Sequence, residues 1–427
     1  MSKTMLSCDH MARLEGHGSI HVAIEDGAVK TVEMQVIEPA RMFESMVKGK
    51  SFLDVSYICS RICGICSENH VITDLKAIEQ IFGIQVSYRT KLLRELMVYG
   101  SYLQNHTSHL FVFAVPDYLG QKSMFPLANS NPELLDKALK LKWLGNELCN
   151  RVAGRSIHPI TAVVGGFTHE MSSAEYLEMA KMMEDSLPFA KEIVDLFNSF
   201  PVPDIQTDGD LLALVEQDSY PIQSSDMLKF VQADKVFTAA EKDQFIHEEV
   251  NSHSAALFST MKESGRTYLT SALSRINVSW GYLTSEAKLA AAKVGLRPPV
   301  LNPYKNNVAQ AVELVDALVR CAAICRELAE GQGSSAPEPY EVKAGHGIGV
   351  TEAPRGIVFH ELTLDEKGRV VNANIMTPTC QNMANLELDA RTVVEYLLAR
   401  DTPESVIKLE VEKLVRAYDP CFSCSVH

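Results

Sequence analysis

Apolar and polar residues alternate from Ser19 to Ile37, in SIHVAIEDGAVKTVEMQVI, and the alternation breaks at Asp26-Gly27. A period of two around an Asp-Gly pair predicts a β-hairpin. The pattern then turns helical. In RTKLLRELMVYGSYLQNHTSHL, Leu92, Leu96, Tyr99, Leu103, His106 and Leu110 fall near one helical face. Further helical patterns run over 133–151, 173–198, 226–263, 284–294 and 305–330. The last is the clearest, with Gly331 as its stop. Residues 331–349, GQGSSAPEPYEVKAGHGIG, are rich in Gly, Pro and Ser and predict a loop. GIVFHELTLDEKGRVVNANIM then predicts a second hairpin turning near Lys367-Gly368, and helices are expected over 391–400 and 403–417. The expected fold is mainly α with small β-sheets, of the α+β kind.

Composition narrows the function classes. A chain of 427 residues can bury a substantial core without staples. Its net charge of −14 is a poor match to a phosphate backbone, so no nucleic-acid partner is expected. No apolar run reaches about 18 residues, so no direct membrane span is expected. MSKTMLSCDHMARLEGHGS lacks the apolar stretch of a secretory signal, which points to a cytoplasmic protein with reduced thiols. The ten cysteines are then candidates for metal or redox chemistry.

Four of them stand in two Cys-x-x-Cys pairs. One is in SRICGICSENH, residues 60–70, and the other in DPCFSCSVH, residues 419–427. Two such pairs can close a structural zinc tetrahedron or hold an iron–sulfur cluster. Zinc modules commonly separate their pairs by about 12 to 20 residues. Here the pairs lie at opposite ends of the chain, which weakens the zinc reading, and an iron–sulfur cluster would leave the flanking residues unexplained. Spacing alone leaves zinc, iron–sulfur and a rarer centre open.

The flanks carry a resemblance. Arg61-x-Cys63-Gly64-x-Cys66-x3-His70 and Asp419-Pro420-Cys421-x2-Cys424-x2-His427 resemble the two signatures of the [NiFe]-hydrogenase large (catalytic) subunit. The likeness continues through RLEGHGSI, LLRELMVYGSYLQNHTSHLFVFAVPDYLG, GRSIHPITAVVGGF, YLTSALSRIN, TEAPRGIVFH and MTPTCQN, so it covers nearly the whole chain. TPTCQN looks most like the soluble multi-subunit branch, which couples hydrogen to NAD(P), F420 or disulfide and ferredoxin partners. The resemblance implies one large-subunit domain over 1–427, a central helical bundle with both chain ends meeting at the metal site. Its stretches would be an N-terminal hairpin and cysteine motif (1–70), a helical body (71–330), and a second hairpin with the C-terminal cysteine motif (331–427).

It also implies the chemistry: reversible heterolytic cleavage of H2 at a Ni-Fe(CO)(CN)2 centre. Soft thiolates suit a nickel ion that changes oxidation state. Cys63 and Cys421 would be terminal nickel ligands, and Cys66 and Cys424 would bridge to iron. Arg355 would sit above the open metal position. Thr379 would hydrogen-bond a cyanide, with Pro354 and Pro378 lining the apolar side. Glu15 would take the proton from Cys421. Glu44, the His427 side chain and the Ile375 carbonyl would bind Mg2+. His70 would hydrogen-bond Cys66. His106 and His109, three apart on a helix, have the spacing of metal ligands but read first as a packed, hydrogen-bonded pair near the site. Asn105 stands where many members carry Asp, and an amide supplies no countercharge to Arg355. Family precursors usually extend past the final His and are cut there after nickel insertion; this chain stops at His427.

The cysteines outside the two pairs form no further cluster signature, and GHGIG at 345–349 comes after a loop rather than a strand, so it is no dinucleotide fingerprint. The two electrons from H2 therefore imply an iron–sulfur small subunit and further flavin or iron–sulfur electron-transfer subunits. The alternatives within the same fold are a hydrogen sensor and a non-catalytic relative. The quinone-site subunit of respiratory complex I is such a relative, and it lacks the four cysteines.

Overall fold

The computed structural model describes residues 3–217 and 219–427. The alternating N-terminal stretch forms antiparallel strands Gly18–Glu25 and Ala28–Val36. Asp26 and Gly27 turn between them with φ of 49° and 79°, the left-handed pair such a tight turn needs. A third strand, Lys3–Cys8, pairs with the free edge of Gly18–Glu25, so the expected hairpin is part of a three-stranded sheet.

Helices dominate the middle of the chain. Tyr88–Ser108, Pro132–Ala153, Ser173–Ser199 and Asn306–Ala329 form the body. Three of them start on side-chain caps. Ser87 accepts from Thr90 N–H, Asn131 from Leu134 N–H, and Ser172 and Glu175 form a reciprocal capping box. Asn306–Ala329 packs against both Ser173–Ser199 and Tyr88–Ser108. Every residue from Asn306 to Leu318 on it is buried, including Gln310, Glu313 and Asp316. Buried polar groups need partners, and Gln310 and Glu313 find theirs in His109 and His106.

Two expectations change. Residues 226–263 form no long helix. They make short strands, Met227–Phe230, Lys235–Thr238, Ile246–Val250 and Leu257–Met261. Their apolar residues alternate locally: Leu228, Phe230, Phe237 and Ile246 are buried in a small second core with Leu212, Leu214, Val350 and Phe359. The stretch 331–349 is a loop only as far as Ala344; Gly345–Ala353 is a strand. It pairs with Gly356–Leu364, which pairs with Val370–Met376, so the second predicted hairpin is two-thirds of a sheet. The helix expected over 391–400 begins earlier and runs over Pro378–Leu398.

The glycines of GHGIG have a packing reason. The strand Gly345–Ala353 lies against the helix Ser67–Phe82 that begins just after Cys66. A Cβ on Gly347 would stand 2.3 Å from Ala77 O, and one on Gly349 would stand 1.9 Å from Thr73 O. The pattern thus fixes how closely the strand leading to Arg355 approaches the helix leaving Cys66. Pro354 and Arg355 are the two residues between paired Ala353 and Gly356, so Arg355 occupies a hairpin turn.

Both ends of the chain meet. Glu15 and Cys421 form a parallel backbone bridge, with Phe422 N–H donating to Glu15 O at 3.0 Å. Arg41 N–H donates to Val426 O at 2.7 Å, and its guanidinium donates to the carbonyls of Ile62 and Ser423.

Candidate metal centre

Cys63 lies in extended backbone after the short turn Ser60–Ile62, and Cys66 caps the helix Ser67–Phe82. Their loop points amide hydrogens at sulfur: Ile65 N–H and Cys66 N–H both donate to Cys63 Sγ at 3.3 Å. The Cys66 thiol, donating to Cys63, brings the Cys63 thiol down to about 7, against burial and helped by Arg355. The same interaction and burial push Cys66 up. Cys63 is therefore the thiolate of the pair.

The second pair arrives from the far end. The helix Glu404–Ala417 ends, Asp419 takes a left-handed φ of 49°, and the chain turns into Cys421. Cys421 Sγ lies 3.7 Å from Cys63 Sγ, and the sulfurs of Cys63, Cys66 and Cys424 lie within 4.8 Å of one another. All four cysteines are buried. Cys421 and Cys424 are joined as a disulfide; metal binding by this set requires the reduced pair, because thiolates are the ligands.

Arg355 is 4% exposed. Its Nε donates to Asp419 O at 2.8 Å and to Asp419 Oδ1 at 3.1 Å. Its Nη1 and Nη2 are buried and have no hydrogen-bond partner among the described residues, and the charges acting on it include Cys63, Cys66 and Glu15. Four unused N–H bonds on a buried guanidinium beside a cluster of sulfurs are costly unless something polar or anionic sits there. Soft donors below and orphaned donors above suit a metal carrying polar ligands. The residues present fit such a group.

The countercharge to Arg355 corrects the expectation set by Asn105. It comes from Asp419, the first residue of DPCFSC. Asp419 Oδ2 accepts from Asn105 Nδ2 at 2.8 Å and from Gln310 Nε2 at 3.0 Å. Burial alone would raise the Asp419 carboxyl, but Arg355, His109 and the Asn105 bond hold it below its ordinary value. Asn105 therefore orients the counterion.

The other expected residues are placed with similar precision. Glu15 Oε2 lies 3.0 Å from Cys421 Sγ, and the Ser423 hydroxyl donates to Glu15 Oε1 at 2.5 Å. Thr379 Oγ1 accepts Cys421 N–H at 2.9 Å, which leaves its hydroxyl hydrogen free to donate. Pro354 and Pro378 are buried. Glu44 Oε1 accepts Ile375 N–H at 2.8 Å, and His427 Nε2 lies 2.5 Å from Ile375 O, so these three also meet. In this structure the His427 ring bonds the Ile375 carbonyl directly. His70 Nδ1 is 2.9 Å from His360 Nε2, and His360 Nδ1 is 2.7 Å from Asp74 Oδ1, so the bond seen for His70 is to an imidazole. His106 pairs with Glu313 at 2.9 Å, and His109 lies between Gln310 and the Arg416 carbonyl. Gln310, Glu313 and Asp74 carry no signal in the sequence that marks them for the site. Asp419, Ser423, His360 and Arg275 lie inside conspicuous motifs, but nothing there marks their partners.

A family model described as nickel-dependent hydrogenase matches residues 41–133 and 304–427. The chain is 34% identical to sulfhydrogenase 1 subunit alpha of Pyrococcus furiosus, over 99% of this chain and 97% of that one. It is 32% identical to sulfhydrogenase 2 subunit alpha of the same organism, over 99% of each. Its fold matches the crystal structure of an NAD+-reducing [NiFe]-hydrogenase in the H2-reduced state with a TM-score of 0.87, at 24% identity and covering 99% of each chain.

Proposed function

The chain belongs to the nickel-dependent hydrogenase family and is a catalytic large subunit, and we propose that Cys63, Cys66, Cys421 and Cys424 hold its nickel–iron centre. The observation that carries this is the meeting of four buried cysteines from both chain ends beneath the unpartnered Nη1 and Nη2 of Arg355. When bound, the centre supplies the electrophilic site at which H2 is polarised and split heterolytically.

The protein's own residues then divide the work. Cys63 and Cys421 would be ligands to nickel, and Cys66 and Cys424 would be ligands shared with iron. The Arg355 Nη groups and the Thr379 hydroxyl would donate to polar ligands of the iron, carbon monoxide and cyanide in this reading. Pro354 and Pro378 keep that side dry. The Cys421 sulfur holds the proton from H2, and Glu15 Oε2, 3.0 Å away, takes it on toward solvent. Glu44, His427 and the Ile375 carbonyl would hold Mg2+. His70 buttresses the Cys66 side.

Electrons leave through a partner. Among the described residues the cysteines outside the four, namely Cys8, Cys59, Cys149, Cys321, Cys325 and Cys380, are all buried, and no second four-cysteine cluster occurs. An iron–sulfur small subunit takes the electrons, and further subunits carry them to a soluble acceptor in the cytoplasm. No helix among the described residues is long and apolar enough to cross a membrane.

The test is an infrared spectrum of the purified complex with nickel and iron quantified on the same sample. Bands of metal-bound carbon monoxide and cyanide with about one nickel per chain are expected. Zinc alone, with no such bands, would overturn the assignment.

A further inference from the structure

Arg355 is held from two sides, and the second side belongs to another buried arginine. Arg275, in YLTSALSRIN, is 1% exposed and sits on the short helix Ala272–Ser279. All five of its N–H bonds are used. Nε and Nη2 donate to Glu313 Oε1 and Oε2, each at 2.7 Å. Nη1 donates to Glu352 Oε2 at 3.1 Å and to Ala353 O at 3.0 Å. The second Nη2 hydrogen goes to Pro354 O at 2.9 Å. The two carbonyls it grips are those immediately before Arg355. The Tyr102 ring lies under the guanidinium, 4.9 Å away, and the Tyr102 hydroxyl donates to Glu352 O at 3.0 Å.

The polar chain closes into a ring. Arg355 pairs with Asp419, and Asp419 with Asn105. The neighbouring His106 pairs with Glu313, Glu313 with Arg275, and Arg275 with the backbone of Pro354, which leads back to Arg355. A densely bonded buried network specifies one geometry, because any displaced member leaves a charge or a carbonyl unpaired. Glu313 balances Arg275, with its carboxyl held down at about 2: burial opposes this, but Arg275 and His106 outweigh it. Lysine in place of Arg275 would have three donors and no planar fork, so it cannot satisfy a bidentate carboxylate and two carbonyls together.

We infer that Arg275 is a positioning residue for H2 cleavage: it sets the hairpin turn that aims the Arg355 guanidinium at the metal centre. This rests on the proposed role of Arg355. A misplacement of about 1 Å in a catalytic group can cost on the order of 100-fold in rate.

The experiment is a double-mutant cycle in the complete hydrogenase complex, using Arg275→Lys, Arg355→Lys and both together. Nickel and iron content, kcat for H2 oxidation, and amide hydrogen exchange are measured for each. Arg275→Lys is expected to lower kcat about 30- to 100-fold with metal content unchanged, and to cost less than twofold more in the Arg355→Lys background. Exchange should rise across 345–364 while Asn306–Ala329 keeps its protection. Tyr102→Phe, an isosteric change that removes the bond to the Glu352 carbonyl leading into the same turn, should give a several-fold loss that also vanishes beside Arg355→Lys; it serves if Arg275→Lys fails to assemble. Equal losses in both backgrounds, or exchange rising throughout, would make Arg275 merely structural and overturn the inference. Full activity in Arg355→Lys would instead overturn the reading of Arg355 itself.

Discussion

Glu15 Oε2 lies 3.0 Å from the sulfur of Cys421, although 406 positions of sequence separate them. The contact is built, not incidental. The Glu15 carbonyl accepts Phe422 N–H, and its carboxylate accepts both the N–H and the hydroxyl of Ser423. A carboxylate fixed this way meets the geometric requirement for a proton acceptor at that sulfur. Glu15→Gln keeps the shape and removes the proton acceptor. H/D exchange should fall about 10²- to 10⁴-fold, while nickel content and infrared bands stay as in the wild type. Normal exchange in that variant would sink the proton role.

Asp419 should matter for stability as well as rate. It is the carboxylate that faces the buried Arg355, and its Oδ2 takes both Asn105 and Gln310. Asp419→Asn leaves the guanidinium charged and without its counterion. Removing one partner of a buried ion pair costs about 3–5 kcal/mol. A urea-unfolding midpoint unchanged by Asp419→Asn would show that Arg355 finds its balance elsewhere.

Much of this architecture is legible in the sequence, and the limits are physical. The long helices announce themselves by their period. The metal ligands are legible because their chemistry is compressed into two short motifs. The strands between 227 and 261 escape a sequence reading because runs of four or five residues fit either period. Asp419 is in plain view, yet its pairing with Arg355 is a tertiary fact, as is the return of Arg275 to the Pro354 carbonyl. The reason for the glycines of GHGIG is equally hidden, since they make sense only with Thr73 and Ala77 alongside.

That close approach gives a further expectation. Gly349→Ala would place a methyl carbon 1.9 Å from Thr73 O, with more backbone of the same helix close by. Overpacking of this kind costs about 1–3 kcal/mol or more. Denaturant unfolding should show that loss, and Gly27→Ala, where nothing lies within 4 Å of the added carbon, should not show a comparable clash. The Gly27 position keeps its own strain from φ of 79°, so the comparison belongs to yield of metal-loaded protein as well as to midpoint.

Glu313 supplies a pH signature. Its carboxyl is held at about 2 in the folded chain, against an ordinary value of 4.5. A depressed carboxylate contributes stability that is fully present above the unfolded value and lost as pH falls through the folded one. The melting temperature of the wild type should therefore exceed that of Glu313→Gln by a constant margin above about pH 5. The margin should shrink as pH drops from about 4.5 toward 2. A margin independent of pH across that window would mean that the glutamate acts through shape rather than charge.

Metal loading should fasten the two ends of the chain. The final residues are held by hydrogen bonds from separate elements, among them Phe422 N–H on Glu15 O, Arg41 N–H on Val426 O and Cys421 N–H on the Thr379 hydroxyl. The four cysteines crowd into one buried space. Four thiolates there repel one another, and burial adds to the cost, so the fully deprotonated set is unstable without a cation. A metal centre reverses the sign, because its charge offsets theirs and its bonds tie residues 63–66 to 421–424. The loaded chain should melt on the order of 5–10 °C above the unloaded one. Amide exchange in the unloaded chain should rise first over 11–18 and 419–427, with Asn306–Ala329 unaffected. Equal melting temperatures and equal protection of both ends would show that the fold closes around the site without help from the metal.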